Sequence, residues 1–165
     1  QCRAATRDPD ERYVAIADRL CEMGRLGRKS RAGWYAYDAE GRKSADSRVA
    51  EVISAARAEK AITPRAFTAE EIQRRLLAAL ANEGAKVLGD GIALRASDID
   101  LAFVHGYGFP RAKGGPMWAA DQMGLPALLK EVELLHRVGG AGSEPAPLLI
   151  ELARTGASLA QWSAA

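Results

Sequence analysis

The chain has 165 residues, 48% of them apolar and 27% charged, with a formal net charge of +2. That length suits one domain, or one domain with an appendage, and lets a chain bury about two-thirds of its unfolded surface without staples. The charge is too small to argue for a nucleic-acid partner, two cysteines make no disulfide framework, and no apolar run approaches the ~20 residues that span a bilayer.

The first stretch, QCRAATRDPDERY, has no apolar core and is not a signal peptide. A start at Gln1 fits a piece of a longer polypeptide or a processed terminus. Asp8, Pro9, Asp10 and Glu11 predict a helix start, with a cap, a proline at the first position and acids against the dipole. Tyr13, Ile16, Leu20 and Met23 then recur at helical spacing, and Gly24 supplies the stop. Cys21 falls on that helix and is expected to be a buried thiol, Cys2 lies in a frayed terminus, and a reducing compartment follows. Residues 24–33 form a glycine-rich, basic loop, and Trp34, Tyr35 and Tyr37 an extended piece packed on something apolar.

A polar surface turn spans 38–45, and Val49, Val52, Ile53 and Ala56 mark a helix between Ser47 and Lys60 that Pro64 ends. Thr68 and Glu71 make a capping box for a long helix. Its face carries Ile72, Leu76, Leu80, Gly84 and Leu88, widened by Leu77, Ala81 and Val87, so it is expected to meet more than one neighbour. Gly89 to Gly91 stop it. Ser97 is expected to cap the next helix, with Ile99, Phe103 and Val104 inward. Gly114, Gly115 and Pro116 open another, Leu125–Val138 and Leu148–Arg154 follow, and Trp162 pins the tail. The predicted fold is all-α, six or seven helices with short connections.

Two blocks carry a family likeness. The first is Gly27, Arg28, Lys29, Ser30, Gly33, Trp34 and Tyr35. The second runs Asn82-Glu83-Gly84, Gly91 to Arg95, Ser97 to Asp100, Gly106 to Pro110, Gly114 to Met117 and Asp121. Their order and spacing resemble the C-terminal helical region of the 3-hydroxyacyl-CoA dehydrogenases of fatty-acid β-oxidation, in particular the second helical copy of the multifunctional chains. The resemblance implies a division into 1–45 (tail of a first copy), 46–67 (connecting helix and linker) and 68–165 (second copy). It implies a parent that oxidises (3S)-3-hydroxyacyl-CoA with NAD, beside an enoyl-CoA hydratase, with NAD held by a Rossmann domain outside this chain. In that family an asparagine in a Gly-Asn-Arg helix reaches the substrate. The matching stretch here is Gln73-Arg74-Arg75, with Arg74 at the asparagine position. The resemblance puts the family's catalytic His–Glu pair and Gly-rich loop in the preceding Rossmann domain, no GxGxxG occurs here, and two histidines and two cysteines stand at unrelated spacings, so no catalytic, cofactor-binding or metal-ligating role is expected of these residues. The fragment is expected to be inactive alone, to support the cleft, to contact other domains and to self-associate, as part of a bacterial cytoplasmic enzyme.

Among single residues, Glu83 is either a carboxylate with a raised pKa or, the better reading, an acid paired with an arginine such as Arg95. Asn82, Glu83 and Arg95 are the structural polar candidates. Arg28, Lys29, Arg111 and Lys113 are candidates for a CoA phosphate or, the blander reading, for a neighbouring domain. His105 is a packing or solvent-facing residue and His136 a surface one. The competing function is a stand-alone all-α interaction module, against which there is no internal repeat; a small nucleic-acid binder is the least favoured.

Overall fold

The computed structural model describes residues 13–140 and 142–162. The predicted start at Asp8 to Glu11 and the position of Cys2 lie outside the described residues. The seven α-helices among those described are α1 (Ile16–Glu22), α2 (Ser47–Glu59), α3 (Ala69–Gly89), α4 (Ala96–Gly106), α5 (Pro116–Met123), α6 (Leu125–Gly139) and α7 (Pro147–Thr155). A two-residue antiparallel pair, β1 (Ala36–Tyr37) and β2 (Lys43–Ser44), is the only sheet among them. The chain forms two compact units, one spanning Tyr13–Ala66 and one running from Phe67 onward.

In the first unit α1 packs on α2. The buried apolar residues here are Leu20 and Val49. So small a core cannot cover a seven-residue helix, and Cys21 is exposed rather than buried. The organising residue is Arg25, only 8% exposed. Its Nε donates to the Gly33 carbonyl at 3.0 Å and its guanidinium pairs with Asp46 at 2.6 Å. Asp46 also accepts from the Arg48 amide at 2.9 Å, which caps α2. Register pairs Ala36 with Ser44 and Tyr37 with Lys43, and Arg42 clasps Asp38 across the turn at 2.7 Å.

The Arg25 guanidinium, then the Arg48 amide, hold the Asp46 carboxyl below its ordinary 3.8. A lowered carboxyl contributes stability that is complete above its unfolded value and lost as pH falls through the native one. Asp38 and Glu59 are lowered by Arg42 and Arg19 in the same window. We therefore expect an acid-unfolding limb below pH 3.8. Asp46→Asn keeps an oxygen for the Arg48 amide but loses the ion pair, so it should make that limb shallower. Far-UV circular dichroism against pH checks this; an unchanged limb would show that the clamp is energetically idle.

In the second unit α3 is the central helix, packed against α5, α6 and α7. Thr68 caps it as expected, its Oγ1 accepting from the Glu71 amide at 3.1 Å. The buried stripe is Ala78, Ala81, Asn82, Ala85 and Leu88, joined by Gly84. Small side chains let the neighbouring helices approach closely. Met117, Leu128, Val132, Leu149 and Leu159 fill the space around them. The expected face is therefore rotated: Ile72 and Leu76 are exposed, while Leu80 and Val87 are half-buried. The end of α3, with Gly91 in the left-handed region, matches the sequence reading.

Three side chains tie this unit together across long separations. Asn82 spans to the strand-like lead into α7. Its amide donates to the Glu144 carbonyl at 2.9 Å, and its oxygen accepts from the buried Ala146 amide at 2.8 Å. Asp100 of α4 accepts from the Met117 and Trp118 amides at 2.7 and 3.1 Å, capping α5 from outside. Asp121 of α5 accepts from the Leu159 and Ala160 amides at 2.8 and 2.9 Å. The tail is held there, with Trp162 packed against the core.

The cap of α4 differs from expectation. Arg95 occupies the cap position without a side-chain cap bond, and Ser97 lies inside the helix. Arg95 instead pairs with Asp98 one turn on, at 2.8 Å. Ile99 is buried, while Phe103 is half-buried against the core and Val104 is half-buried. His136 is half-buried rather than on the surface, its Nδ1 3.3 Å from Ser143 Oγ.

Candidate functional site

Two places in the chain have the character of a site, one in each unit. In the second unit, α3 and α4 diverge and leave an open groove of about 490 Å³. Leu80, Val87, Ile92, Leu94, Ile99 and Phe103 supply its apolar lining, and the only charged residues along it are Glu83 and Asp98. Ile92 and Leu94 stand 75% and 65% exposed beside it. The groove exists because α3 carries two apolar faces. The alanine face is closed by α5, α6 and α7; the Leu80–Val87 face is not. Gly84 sits between them, and a β-carbon there would collide with Met117 Sδ.

Glu83 is exposed and pairs with Lys86 at 3.5 Å, not with Arg95. It has no place in a buried acid–base arrangement. Asn82 is buried and its side chain is bonded to backbone. Burial pushes the Asp100 carboxyl above its ordinary value, against the pull of the Met117 and Trp118 amides. Its oxygens are both used by backbone, which makes it a cap and not a catalytic acid. His105 is exposed at the end of α4. No three His, Cys, Asp or Glu residues group as a metal site among the described residues.

Arg111 and Lys113 lie on an exposed 3-10 turn before α5, with no ion pair among the described residues. Arg74 is taken up by Glu131 of α6 at 2.6 Å. That pair fastens α3 to α6.

In the first unit the exposed 3-10 turn Arg28–Ser30 precedes the hairpin. Arg28 lies over the Tyr37 ring at 5.8 Å and Lys43 over Tyr35 at 4.9 Å. Trp34 and Tyr35 are 51% and 43% exposed, so these rings do not pack on apolar surface as the sequence implied. Lys43 covers Tyr35 and Arg28 covers Tyr37, while Trp34 stands open.

No Rossmann-type nucleotide cradle stands among the described residues. The only strands described are the two-residue β1 and β2, antiparallel, with no strand–turn–helix to bring backbone amides to a pyrophosphate. No helix among the described residues is long and apolar enough to cross a membrane.

Residues 72–160 match the family model for the 3-hydroxyacyl-CoA dehydrogenase C-terminal domain. The chain belongs to that family. Within this family of dehydrogenase C-terminal domains, it is 40% identical over 159 residues to the peroxisomal bifunctional enzyme of Danio rerio, covering 91% of this chain and 22% of that protein. It is 42% identical over 135 residues to the peroxisomal bifunctional enzyme of Homo sapiens (81% and 19%) and 35% identical over 138 to the fatty acid oxidation complex subunit alpha of Acinetobacter baumannii (81% and 19%). The chain thus spans about a fifth of the length of the curated relatives it matches. A further relative is, by name, the peroxisomal fatty acid beta-oxidation multifunctional protein of Arabidopsis thaliana, and the all-α architecture fits the family.

Reading the sequence missed Asp46, and it placed Asp100 and Asp121 in the family-like block without their partners. An aspartate just before Ser47 is a cap signal that was open to be read. Asp100 and Asp121 bind amides 17 and 38 residues away, and no local pattern announces that.

Proposed function

We propose that this chain is the cleft-supporting helical part of an NAD-dependent (3S)-3-hydroxyacyl-CoA dehydrogenase of β-oxidation, within a multifunctional polypeptide that also carries enoyl-CoA hydratase. Residues 1–45 are then the tail of a first helical copy, 46–67 the connection and 68–165 the second copy. Cofactor and catalytic residues belong to a domain outside these residues. Arg28, Lys29, Arg111 and Lys113 are the cations available to a CoA phosphate or a neighbouring domain. The cytoplasmic assignment rests on the alanine- and arginine-rich composition.

One observation carries the reading: α3 and α4 leave an apolar face unfilled. Leu76, Ile92, Leu94, Leu101 and Tyr107 are each more than half exposed. Apolar surface on this scale marks contact with another protein surface. The missing substrate-reaching asparagine supports the same view, because Arg74 is locked to Glu131.

Sedimentation of the chain with NADH present tests this. The expected result is reversible, concentration-dependent association through the open face, with NADH left unbound. A strict monomer that carries NADH down with it at micromolar concentration would overturn the reading.

A further inference from the structure

The turn at Arg28–Ser30 holds more positive charge than its surroundings neutralise. Between residues 28 and 43 the cations are Arg28, Lys29, Arg31, Arg42 and Lys43, and the acids Asp38 and Glu40. Both acids are bound by Arg42. Lys29 and Arg31 are exposed and have no ion pair among the described residues. Arg28 and Lys43 meet only ring faces, contacts that orient a cation without cancelling its charge.

The backbone under these cations is held in place. The Gly27 amide donates to the Ala32 carbonyl at 2.8 Å, and the Ala32 amide back to Gly27 at 3.2 Å. Ser30 Oγ accepts from the Leu26 amide at 2.8 Å. The Tyr37 amide donates to the Arg31 carbonyl at 2.9 Å. Buried Arg25 fixes the Gly33 carbonyl. Arg31 sits at φ 55, in the left-handed region that residues with a β-carbon rarely enter. The left-handed Arg31 is the C-cap that ends the 3-10 turn, so the frame fixes where the cations stand. A fixed frame that crowds unneutralised like charges suits a counter-charge. Trp34 follows directly, with half its surface open.

We infer that this turn holds the nucleotide end of a CoA thioester: phosphates on Arg28, Lys29 and Arg31, the purine against Trp34. The inference rests on the reading above that the parent acts on acyl-CoA. An acidic protein face would satisfy the charges and leave the indole idle. A base carrying several phosphates satisfies both.

Calorimetric titration of the chain tests it, with 3′,5′-adenosine bisphosphate as the full probe and inorganic phosphate as the charge-only probe. The expected result is saturable bisphosphate binding that weakens with salt. K29E/R31E, at two exposed side chains, should lower that affinity at least tenfold. W34A should lower it several-fold while leaving phosphate binding unchanged, and K130E/R137E, at two exposed cations of α6, should match the wild type. Failure of the wild type to saturate, or wild-type affinity in K29E/R31E, overturns the site.

Kinetics of the longer polypeptide separate this from the functional reading. A raised KM for the CoA substrate with unchanged kcat in K29E/R31E supports the site. Dehydrogenase activity with KM unmoved by K29E/R31E overturns the site alone. Absence of dehydrogenase activity, with bisphosphate still bound by the chain, overturns the functional reading and upholds a nucleotide site.

Discussion

Replacing Asn82 with leucine is expected to destabilise the unit from Phe67 onward by about 3 kcal/mol, the sum of two groups left unpaired at roughly 1–3 kcal/mol each. The reason is the company the side chain keeps. Its oxygen is the acceptor for the Ala146 amide, on a residue with no solvent exposure, and its nitrogen is a donor to the Glu144 carbonyl. Leucine keeps the branched outline and suits a helix, so neither a cavity nor helix propensity confuses the result. Asn82→Asp should fare no better. One oxygen still accepts from Ala146, but the other faces the Glu144 carbonyl at hydrogen-bond distance with no proton between them. Glu83→Ala, one residue along, is the internal control. An exposed acid paired with Lys86 at 3.5 Å should change stability by no more than about 0.5 kcal/mol. Urea denaturation of the three variants decides the matter. Equal midpoints for Asn82→Leu and Glu83→Ala would show that the lead into α7 finds other partners.

That contrast between neighbours also explains what the sequence disclosed and what it hid. Helix positions follow from local chemistry, so the ends of α3, the proline start of α5 and the extents of α6 and α7 were legible. The family likeness of 82–121 was legible for a related reason: its glycines and prolines are fixed by turns such as Gly108 and Gly115, at φ 71 and 134. Which apolar face of α3 is buried was not legible. Leucines and alanines share that helix, and hydrophobicity alone favours the leucines. Packing favours the alanines, since three helices can approach only there. The leucines were left for the groove, so the face that looked most like core is the one that carries the functional argument. Trp34 and Tyr35 were misjudged in the same way: an aromatic is assigned to a core by default, and only the geometry shows Lys43 on Tyr35 and Trp34 open. Asp100 and Asp121 stood in the family-like block, but what they hold was not legible because their partners lie far along the chain.

Gly115→Ala should be the most damaging single methyl in the molecule, costing about 3–5 kcal/mol when backbone strain and a lost cap are taken together. Gly115 sits at φ 134, ψ 170, a region open essentially to glycine alone. A β-carbon there would also overlap the Cβ, Cγ and Oδ1 of Asp100. Asp100 cannot step aside freely, because its two oxygens hold the Met117 and Trp118 amides. Either the backbone at 115 turns to a conformation alanine accepts, or Asp100 leaves the start of α5. Both release Met117, a wholly buried side chain against Gly84, and with it the packing of α5 on α3. The two causes can be separated in a double-mutant cycle. Asp100→Gly removes the collision, its Cβ included, and the cap but not the strain, so Gly115→Ala added to it should cost only the strain, about 1–3 kcal/mol. Strict additivity of the two substitutions would mean that Asp100 and Gly115 do not press on each other. Gly114→Ala is the graded comparison: φ 73 and a 2.9 Å approach to the ring of a half-exposed Trp118 that has solvent to move into. Its cost should fall clearly below that of Gly115→Ala, because there the backbone strains but the obstacle can yield.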